Sequence, residues 1–365
     1  MFLIVTRNYP PDVGGIQTLM GGLSESLLNH GPVKVFAYEH LNSDIYDKKS
    51  SIDIIRVKGI KILRKYRKAN LVNNFINTNK SIRAIIVDHW KSLELIKSEH
   101  LKKNKSFCLL HSKEINHEIN SSLNKRLIKS TNKADYIISN SNFTKKLAIK
   151  VGINPQKINV IFPGIYEPKP ISNNSKIEAE NILKGFFPKI ITVARLDKRK
   201  GHDKILMAIK NLKTKFPKIK YISIGAGQEE SNLLKLSKEL KLEKEALFLK
   251  NIDENLKIAL ISQSNLFLMP SRIEKKSVEG FGISFMEAAS YGVGSIGGND
   301  GGESDAIAHN KTGLICDGNN LNSIYDSIVS FFENDNYKTF GNKSKIFSEN
   351  FYWDKIVKNY LQLLD

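Results

Sequence analysis

The segment EGFGISFME carries two carboxylates, Glu279 and Glu287, on either side of a glycine-rich turn that leads into a predicted helix. Gly280 and Gly282 permit backbone angles that other residues rarely adopt, and they let a ligand come close to the main chain. This combination of acidic side chains and accessible backbone makes the segment a candidate for ligand binding and catalysis.

The predicted helix SFMEAASY begins at Ser284, which is a natural N-cap residue. A helix N-terminus presents unpaired N–H groups and a partial positive charge, so a phosphate could bind against Gly282, Ile283 and Ser284. Glu279 would then lie beside the phosphate, and Glu287 one turn into the helix. Ser284 and Glu287 also have the spacing of a capping box, which needs no ligand. The motifs elsewhere in the chain favour the functional interpretation.

A basic turn, RLDKRKG, separates a predicted strand from a predicted helix. Arg195 and Lys200 could bind a diphosphate, the first through a planar fork of donors and the second as a point charge. A solvated basic turn is the competing interpretation. Gly14 and Gly15 occupy the first strand-to-helix turn, where a side chain would block a phosphate, although a plain tight turn explains them equally well. His111 ends another predicted strand, where a lone histidine is more often structural than functional.

The glycine-rich segments of the sequence do not match the standard dinucleotide-binding or P-loop motifs. GGNDGGESDA follows an apolar segment, and its Gly301 and Gly302 could bring backbone N–H groups toward a sugar. No segment matches G-x-G-x-x-G or the P-loop signature, so dinucleotide reduction and P-loop hydrolysis are poorly supported.

Predicted strands alternate with predicted helices in both halves of the chain. The strand-like segments are FLIVT, AIIVDHW, SFCLLHS, ADYIISN, KIITVA, KYISIG, ALFLK and LFLMPS. This alternation predicts an α/β protein with two Rossmann-like domains of parallel sheet facing a central cleft. Ligands bind outside the carboxyl ends of such strands, where the candidate residues fall. Residues 163–188 are rich in Pro, Asn, Ser and Lys without periodicity, which predicts the connection between the domains.

Length and composition agree with two globular domains. The chain has 365 residues, of which 41% are hydrophobic, and no apolar run approaches the roughly 18 residues of a membrane span. MFLIVT is too short for a signal-peptide core, so we expect it to be the first strand and the protein to be cytoplasmic. Cys108 and Cys316 lie in apolar contexts far apart in sequence, which predicts buried reduced thiols.

Basic residues are concentrated in the first half of the chain. Residues 1–170 contain 28 Lys and Arg against 13 Asp and Glu, whereas the remaining residues contain 28 against 24. Residues 54–87 carry nine basic side chains and no acidic one, and their apolar groups suit an amphipathic segment at a membrane interface. These apolar groups are Ile60, Ile62, Leu63, Tyr66, Leu71, Val72, Phe75 and Ile76. The charge favours an anionic membrane surface, a phosphorylated substrate or nucleic acid, and a merely solvated face is the alternative.

A nucleic-acid-binding protein is the strongest rival class, because the sequence pI is about 9.6. Such a protein needs basic residues interleaved with exposed aromatics or a recognised binding fold. The sequence has neither, so we expect no nucleic-acid partner.

Taken together, the motifs resemble the retaining glycosyltransferases of family 4, which have the GT-B architecture. The resemblance covers nearly the whole chain, and the segments that carry it are YPPDVGGIQ, ISNSNFTKKLAIKVGINPQKINVIFPGI, ARLDKRKGHDKIL, IGAGQE, LMPSRIEKKSVEGFGISFMEAA and GGNDGGESDAIAHNKTGLI. The resemblance implies an acceptor-binding domain over residues 1–168, a nucleotide-sugar-binding domain over 169–345, and a C-terminal helix over 346–365 that crosses back to the first domain.

The resemblance also implies roles for single residues. Arg195 and Lys200 would hold the diphosphate of the donor, Glu279 would contact the sugar hydroxyls, and His111 would lie beside the anomeric carbon. Glu287 would accept hydrogen bonds from the ribose hydroxyls. The remaining donor-binding residues are Gly14, Gly15, Phe281, Gly282, Ile283 and, near the base, Ile252.

A retaining transfer needs the leaving phosphate stabilised on the face from which the acceptor hydroxyl arrives, which is chiefly an electrostatic task. No D-x-D pair occurs, so we expect no metal and no other cofactor. The resemblance favours GDP-mannose as the donor and a glycan or lipid-linked acceptor, with UDP-glucose, UDP-galactose and UDP-N-acetylglucosamine as alternative donors. An inactive relative used as a scaffold is a further alternative, against which the intact Arg195, Lys200, Glu279 and Glu287 argue. We expect the first domain to dock on an anionic membrane surface, at the cytoplasmic face, to reach a lipid-linked or phosphorylated acceptor.

Overall fold

A computed structural model describes all 365 residues of the chain. The residues form two compact units, one of residues 1–166 with 351–365 and the other of residues 167–350. Each unit contains one parallel β-sheet connected through helices, which confirms the predicted α/β class with two Rossmann-like domains.

The first unit has a seven-stranded sheet. Its strands are β1 (Phe2–Val5), β2 (Val33–Tyr38), β3 (Asp53–Val57), β4 (Ala84–Val87), β5 (Lys105–Leu110), β6 (Tyr136–Ser139) and β7 (Ile158–Val160). Its helices up to the chain crossing are α1 (Gly15–Leu28), α2 (Ser43–Lys49), α3 (Arg64–Thr78), α4 (Trp90–Leu93), α5 (Ser98–Lys103), α6 (Ser122–Thr131) and α7 (Asn142–Lys150). The strand order is β3-β2-β1-β4-β5-β6-β7, with every neighbouring pair parallel.

Strand β1 shows why this sheet forms. It reads FLIV, and all four side chains are buried, as expected for a central strand of a parallel sheet that is covered on both faces. The strand order reverses between β1 and β4, so the crevice outside their carboxyl ends is the topological switch point of the first sheet.

The second unit has a six-stranded sheet. Its strands are β8 (Lys189–Val193), β9 (Lys220–Ile224), β10 (Ala246–Leu249), β11 (Leu266–Met269), β12 (Ser295–Gly298) and β13 (Gly313–Cys316). Its helices are α8 (Asn173–Leu183), α9 (His202–Leu212), α10 (Glu230–Glu239), α11 (Glu254–Ser262), α12 (Ile283–Ser290), α13 (Glu303–Ala306), α14 (Leu321–Phe332) and α15 (Asn336–Ser348). The parallel order β10-β9-β8-β11-β12-β13 reverses between β8 and β11, where Ile191 pairs with Phe267.

The segment between the two units differs from the expectation. Residues 163–188 were expected to be irregular, but they contain α8, which Ser172 caps by accepting a hydrogen bond from the N–H of Ser175 at 3.2 Å. The division between the units falls at residue 166, within this stretch. Cys108 and Cys316 are free, buried thiols, as predicted.

The last helix, α16 (Trp353–Leu361), belongs to the first unit and packs against α1. The Trp353 indole occupies a slot beside two glycines. A Cβ on Gly22 would lie 2.2 Å from Trp353 Nε1, and one on Gly164 would lie 2.3 Å from its Cδ2. Any side chain at either glycine would therefore displace the indole.

Candidate active site

The segments that follow β8 and β11 meet at the switch point of the second sheet. Residues Lys198–Lys200 form a 3₁₀ turn after β8, and residues 270–282 lead from β11 into α12. Because parallel neighbours end at the same edge of a sheet, the two segments lie side by side. The backbone N–H of Arg272 donates to the carbonyl oxygen of Arg199 at 2.9 Å.

Arg199, Lys200 and Glu279 form a buried group that we call the Glu279 ion cluster. Oε2 of Glu279 accepts hydrogen bonds from Nζ of Lys200 and from Nη1 of Arg199, the latter at 2.8 Å. The three side chains are only 10–12% exposed. Neither contact uses Oε1 of Glu279. The cluster holds two cations and one carboxylate, so it carries a net charge of one unit that suits an anionic ligand.

The cations keep Glu279 ionised although it is buried. Burial raises the pKa of the Glu279 carboxyl, but the charges and hydrogen bonds of Lys200 and Arg199 outweigh burial and lower this pKa to about 2. Glu279 is therefore a carboxylate, with one oxygen on the cations and the other outside those two contacts.

Arg195 lies apart from this buried cluster. Its side chain is 66% exposed, and its Nη2 pairs with Oδ2 of Asp197 at 3.0 Å. The structure thus brings Lys200 and Glu279 together but leaves Arg195 on the surface of the same loop. Arg199, which the sequence analysis did not single out, is the second cation in contact with Glu279.

The start of α12 differs from the prediction. Gly282, not Ser284, is the N-cap residue, and its φ of 90° lies in the left-handed region that favours glycine. Ser284 is the second residue of the helix, no side chain caps α12, and the capping box between Ser284 and Glu287 therefore does not form at this terminus. Phe281 is buried and Ile283 is the first helical residue. The first N–H groups of a helix have no partner within it, so they are available to an anion.

Glu287 lies one turn into α12 and is partly buried. Burial raises the pKa of its carboxyl, the nearby Lys257 lowers it, and Glu254 raises it. Ile252 lies in the partly exposed segment between β10 and α11.

Arg272 links the segment after β11 to helix α9. Its guanidinium is buried and donates two hydrogen bonds to Asp203 of α9, to Oδ1 at 3.0 Å and to Oδ2 at 2.9 Å. This bidentate pair fixes the segment after β11 against the helix that follows the basic turn. In the sequence, only the position of Arg272 at the end of the segment LMPSR indicated that it lies near the site.

The predicted residues of the first unit follow its strands. Gly14 precedes α1 and Gly15 begins it. His111 follows β5, and its Nε2 donates to the carbonyl oxygen of Asp88 at 2.8 Å. Its backbone N–H donates to Oε1 of Glu114 at 2.6 Å. These bonds fix the ring, while its position beside an anomeric carbon stays a prediction.

Asp88 organises the switch point of the first sheet, and the sequence analysis missed it. It follows β4, and its buried carboxylate accepts hydrogen bonds from Thr6 Oγ1 and the Arg7 N–H at 2.8 Å each and from Ser92 Oγ at 2.9 Å. Burial raises the pKa of the Asp88 carboxyl, but Lys68, His89, the Arg7 N–H and the Thr6 hydroxyl outweigh burial, so this pKa lies below its usual value. Only the apolar run AIIV before DHW pointed to this position, and it identifies a strand end without identifying a role.

No group of three or more His, Cys, Asp and Glu side chains is arranged to hold a metal ion. None of the helices combines the length and the apolar composition that crossing a bilayer requires.

Comparison with known proteins identifies relatives that match part or most of the chain. Residues 173–351 match the family model of glycosyl transferases group 1. A GDP-mannose-dependent alpha-(1-6)-phosphatidylinositol monomannoside mannosyltransferase of Mycobacterium tuberculosis (strain ATCC 25618 / H37Rv) is 23% identical over 346 residues, which are 90% of this chain and 88% of the relative. The O-antigen biosynthesis glycosyltransferase WclY of Escherichia coli is 34% identical over 150 residues, which are 39% of this chain and 38% of the relative.

Solved structures show the same fold. Anabaena HepE in complex with UDP has a TM-score of 0.83 at 16% identity, covering 100% of this chain and 99% of that one. A glycosyltransferase of Rickettsia africae has a TM-score of 0.80 at 18% identity, covering 100% and 97%. These likenesses confirm the GT-B fold class.

Proposed function

Because this chain belongs to the glycosyltransferases of group 1, of the family 4 type with mannosyltransferase relatives, we propose that it transfers mannose from GDP-mannose to a glycan or lipid-linked acceptor. The proposal includes retention of the anomeric configuration and independence from metal ions. The observation that carries it is the Glu279 ion cluster beside the uncapped N-terminus of α12, at the switch point of the second sheet.

The diphosphate of the donor would bind where positive charge is concentrated. Lys200 and Arg199 carry the excess charge of the cluster, and the N–H groups at the start of α12 add donors to it. Arg195, on the surface of the same loop, would reach the phosphates without leaving a buried partner unpaired. These groups would stabilise the negative charge that develops on the departing diphosphate.

The transfer itself would break the bond between the anomeric carbon and the diphosphate oxygen. A bond from the acceptor oxygen to that carbon would form on the same face, and the acceptor's proton would pass to the departing phosphate oxygen. Glu279 would accept a hydrogen bond from a sugar hydroxyl through Oε1, because Oε2 is occupied by the two cations. Glu287 would accept hydrogen bonds from the ribose.

Donor turnover in excess EDTA tests this function. The purified protein, dialysed against EDTA, would receive GDP-mannose, UDP-glucose, UDP-galactose or UDP-N-acetylglucosamine with lipid and glycan extracts as acceptors. We expect transfer from GDP-mannose and no loss of activity on chelation. The one-bond C1–H1 coupling of the product, measured by NMR, should show that the anomeric configuration is retained. A preference for a UDP-sugar would replace the donor, and activity restored only by Mn²⁺ or Mg²⁺ would refute metal independence. An inverted product would refute retention.

The acceptor side of the proposal includes an anionic membrane surface. Strands β1, β2 and β3 are parallel neighbours, so they end at one edge of the first sheet and the segments that follow them begin there. They expose Val13 (90%), Leu41 (78%) and Ile62 (77%). Exposed Lys61 and Arg67 lie in the third of these segments and in the helix after it. Apolar side chains among cations suit the interface of an anionic bilayer.

The structure narrows the segment that was expected to bind lipid. Val72 and Ile76 are buried in the core of the first unit, and Phe75 packs against that core, so α3 does not offer them to a membrane. Lys68 is also buried, with Nζ donating to the Thr6 carbonyl oxygen at 2.8 Å. The surface available to lipid is therefore the loop before α3 and the first turn of that helix.

Vesicle cosedimentation tests membrane docking. Replacement of Lys61, Lys65 and Arg67 by Gln is expected to lower binding to anionic vesicles at least tenfold at low salt, because each cation near an anionic leaflet contributes about 1 kcal/mol. The matched control replaces three exposed lysines at the opposite, amino-terminal edge of β5, which are Lys102, Lys103 and Lys105. Equal losses in both variants, or no wild-type binding, would remove the membrane from this account without affecting glycosyl transfer.

A further inference from the structure

Glu303 is a buried acid beside the Glu279 ion cluster for which the proposed mechanism has no task. It begins α13, directly after the segment that follows β12, and its residue exposure is 0%. Neither Oε1 nor Oε2 has a partner at ordinary hydrogen-bond geometry, and the nearby Ser271 hydroxyl, which lowers the pKa of Glu303, only partly offsets its burial. An unpaired carboxylate in such a place is costly, so the group is expected to keep its proton.

The backbone brings this acid against the segment that carries Glu279. A Cβ on Gly301 would lie 2.6 Å from Oε2 of Glu303 and 2.5 Å from the carbonyl oxygen of Glu279. The N–H of Gly302 donates to that same carbonyl oxygen at 3.0 Å. Only glycine at position 301 leaves room for the Glu303 carboxyl at this point.

Charged groups from three neighbouring segments act on Glu303. Glu279 comes from the segment after β11, Lys200 and Arg199 come from the turn after β8, and Cys316 lies at the end of β13. Burial, followed by the Glu279 carboxylate, raises the pKa of Glu303 to about 8, while Lys200 lowers it. The pKa of the Cys316 thiol is raised to about 12, so this group does not titrate in the same range.

We propose that Glu303 is a positioning residue of the donor-phosphate site, which stays uncharged so that Lys200 and Arg199 keep a net positive charge for the diphosphate. The inference rests on the proposed function. With Glu303 neutral, the two cations face one carboxylate and the cluster has an excess positive charge. With Glu303 ionised, two carboxylates balance the two cations, and no excess charge is left for the donor.

Nucleotide-sugar affinity should therefore fall as Glu303 ionises. If only the neutral form binds the diphosphate well, the dissociation constant rises about tenfold between pH 7 and pH 9, one unit above the pKa. Glu303→Gln is uncharged at every pH, so this variant should keep the neutral-pH affinity and change less than about threefold. Deprotonation of the nucleotide base or of Lys200 would lower affinity at high pH in the variant as well as in the wild type.

A first experiment needs no ligand. The pKa of Glu303 is higher in the folded state than the usual value of about 4.3 in an unfolded chain, so the folded protein binds more protons between these values. Stability from this group is present at low pH and is lost as the pH rises to about 8. The Tm of the wild type should therefore fall by about 5 °C or more relative to Glu303→Gln between pH 5 and pH 8. Glu243→Gln removes an exposed carboxylate and should follow the wild type.

A second experiment measures binding of GDP-mannose and of UDP-glucose by calorimetry at pH 7 and pH 9. A tenfold loss in the wild type that Glu303→Gln abolishes would support the proposal. Equal pH dependence of Tm, or equal pH dependence of affinity, in the two proteins would overturn it. Glu303→Leu serves as a second uncharged variant if Glu303→Gln does not fold. Failure of the wild type to bind either nucleotide sugar at any pH would overturn the proposed function and the phosphate role of Glu303, while the Tm comparison would still decide the charge of this acid.

Discussion

Replacing Lys200 by Met is expected to lower kcat/KM for the donor by about 100-fold or more. A charge-assisted hydrogen bond contributes about 1.5 to 3 kcal/mol, and donors aimed at charge that develops in a transition state are worth more in a water-poor site. Lys200 is buried, so its ammonium would meet the diphosphate with little competition from water. Met preserves the length of the side chain, and Arg199 still neutralises Glu279 in the variant. The measurement is initial rate at subsaturating donor.

Arg195→Gln is the informative companion of this variant. Arg195 is exposed and its only ion pair is with Asp197, so its replacement should leave the Tm unchanged within about 1 °C. A loss of at least tenfold in kcat/KM without loss of stability would then report contact with the phosphates. Wild-type rates in both Lys200→Met and Arg195→Gln, with both proteins folded, would show that this loop does not bind the diphosphate.

Glu279→Gln is expected to abolish most activity and to destabilise the second unit. The change leaves Lys200 and Arg199 as buried cations without a counter-charge, and breaking a buried ion pair costs about 3 to 5 kcal/mol. The free energy of unfolding in urea at neutral pH measures this loss. Kinetics at a temperature well below the Tm separate it from the catalytic effect, since a purely structural Glu279 would leave kcat of the folded fraction unchanged.

The pH dependence of stability gives an independent measure of Glu279. Its pKa is about 2 when folded, below the usual value of about 4.3, so its contribution is present above pH 4.3 and is lost as the pH falls toward 2. The shift corresponds to an upper bound of about 3 kcal/mol. Unfolding in urea at pH 5 and at pH 3 should show a steeper loss in the wild type than in Glu279→Gln. Parallel losses in the two proteins would show that the ion cluster does not stabilise the fold.

The sequence predicted the strand ends of the second unit because their apolar segments are short and are bounded by loops. The family resemblance placed Lys200 and Glu279 in one donor site, on the diphosphate and on the sugar, but it did not predict their direct ion pair. Arg199 could not be predicted, because KRK offers three adjacent cations and only the 3₁₀ turn decides which face inward, leaving Lys198 exposed. Glu303 could not either, since an acid at the start of a helix is usually solvated, whereas here the residue is fully buried.

Local patterns also misled where tertiary packing decides. Ser284 has the side chain of an N-cap, but Gly282 adopts the left-handed conformation that starts α12 two residues earlier. The apolar residues of α3 suggested a membrane-facing stripe, yet Val72 and Ile76 are in the core of the first unit. A period of apolar residues shows that a helix has an apolar face without showing what covers that face.

The chain leaves the first unit after residue 166 and returns to it at residue 351, so residues 167–350 form an uninterrupted insertion. The two crossing points are natural junctions for recombination with other glycosyltransferases. A chimera that exchanges residues 167–350 as a block would keep Trp353 with the two glycines that accommodate its indole. A fragment that ends at residue 350 would instead carry a vacant groove at Gly22 and Gly164, with the apolar surface of α1 exposed to aggregation. To exchange donor specificity, residues 167–350 should therefore be replaced as an internal block, and the new domain should not be fused at the C-terminus.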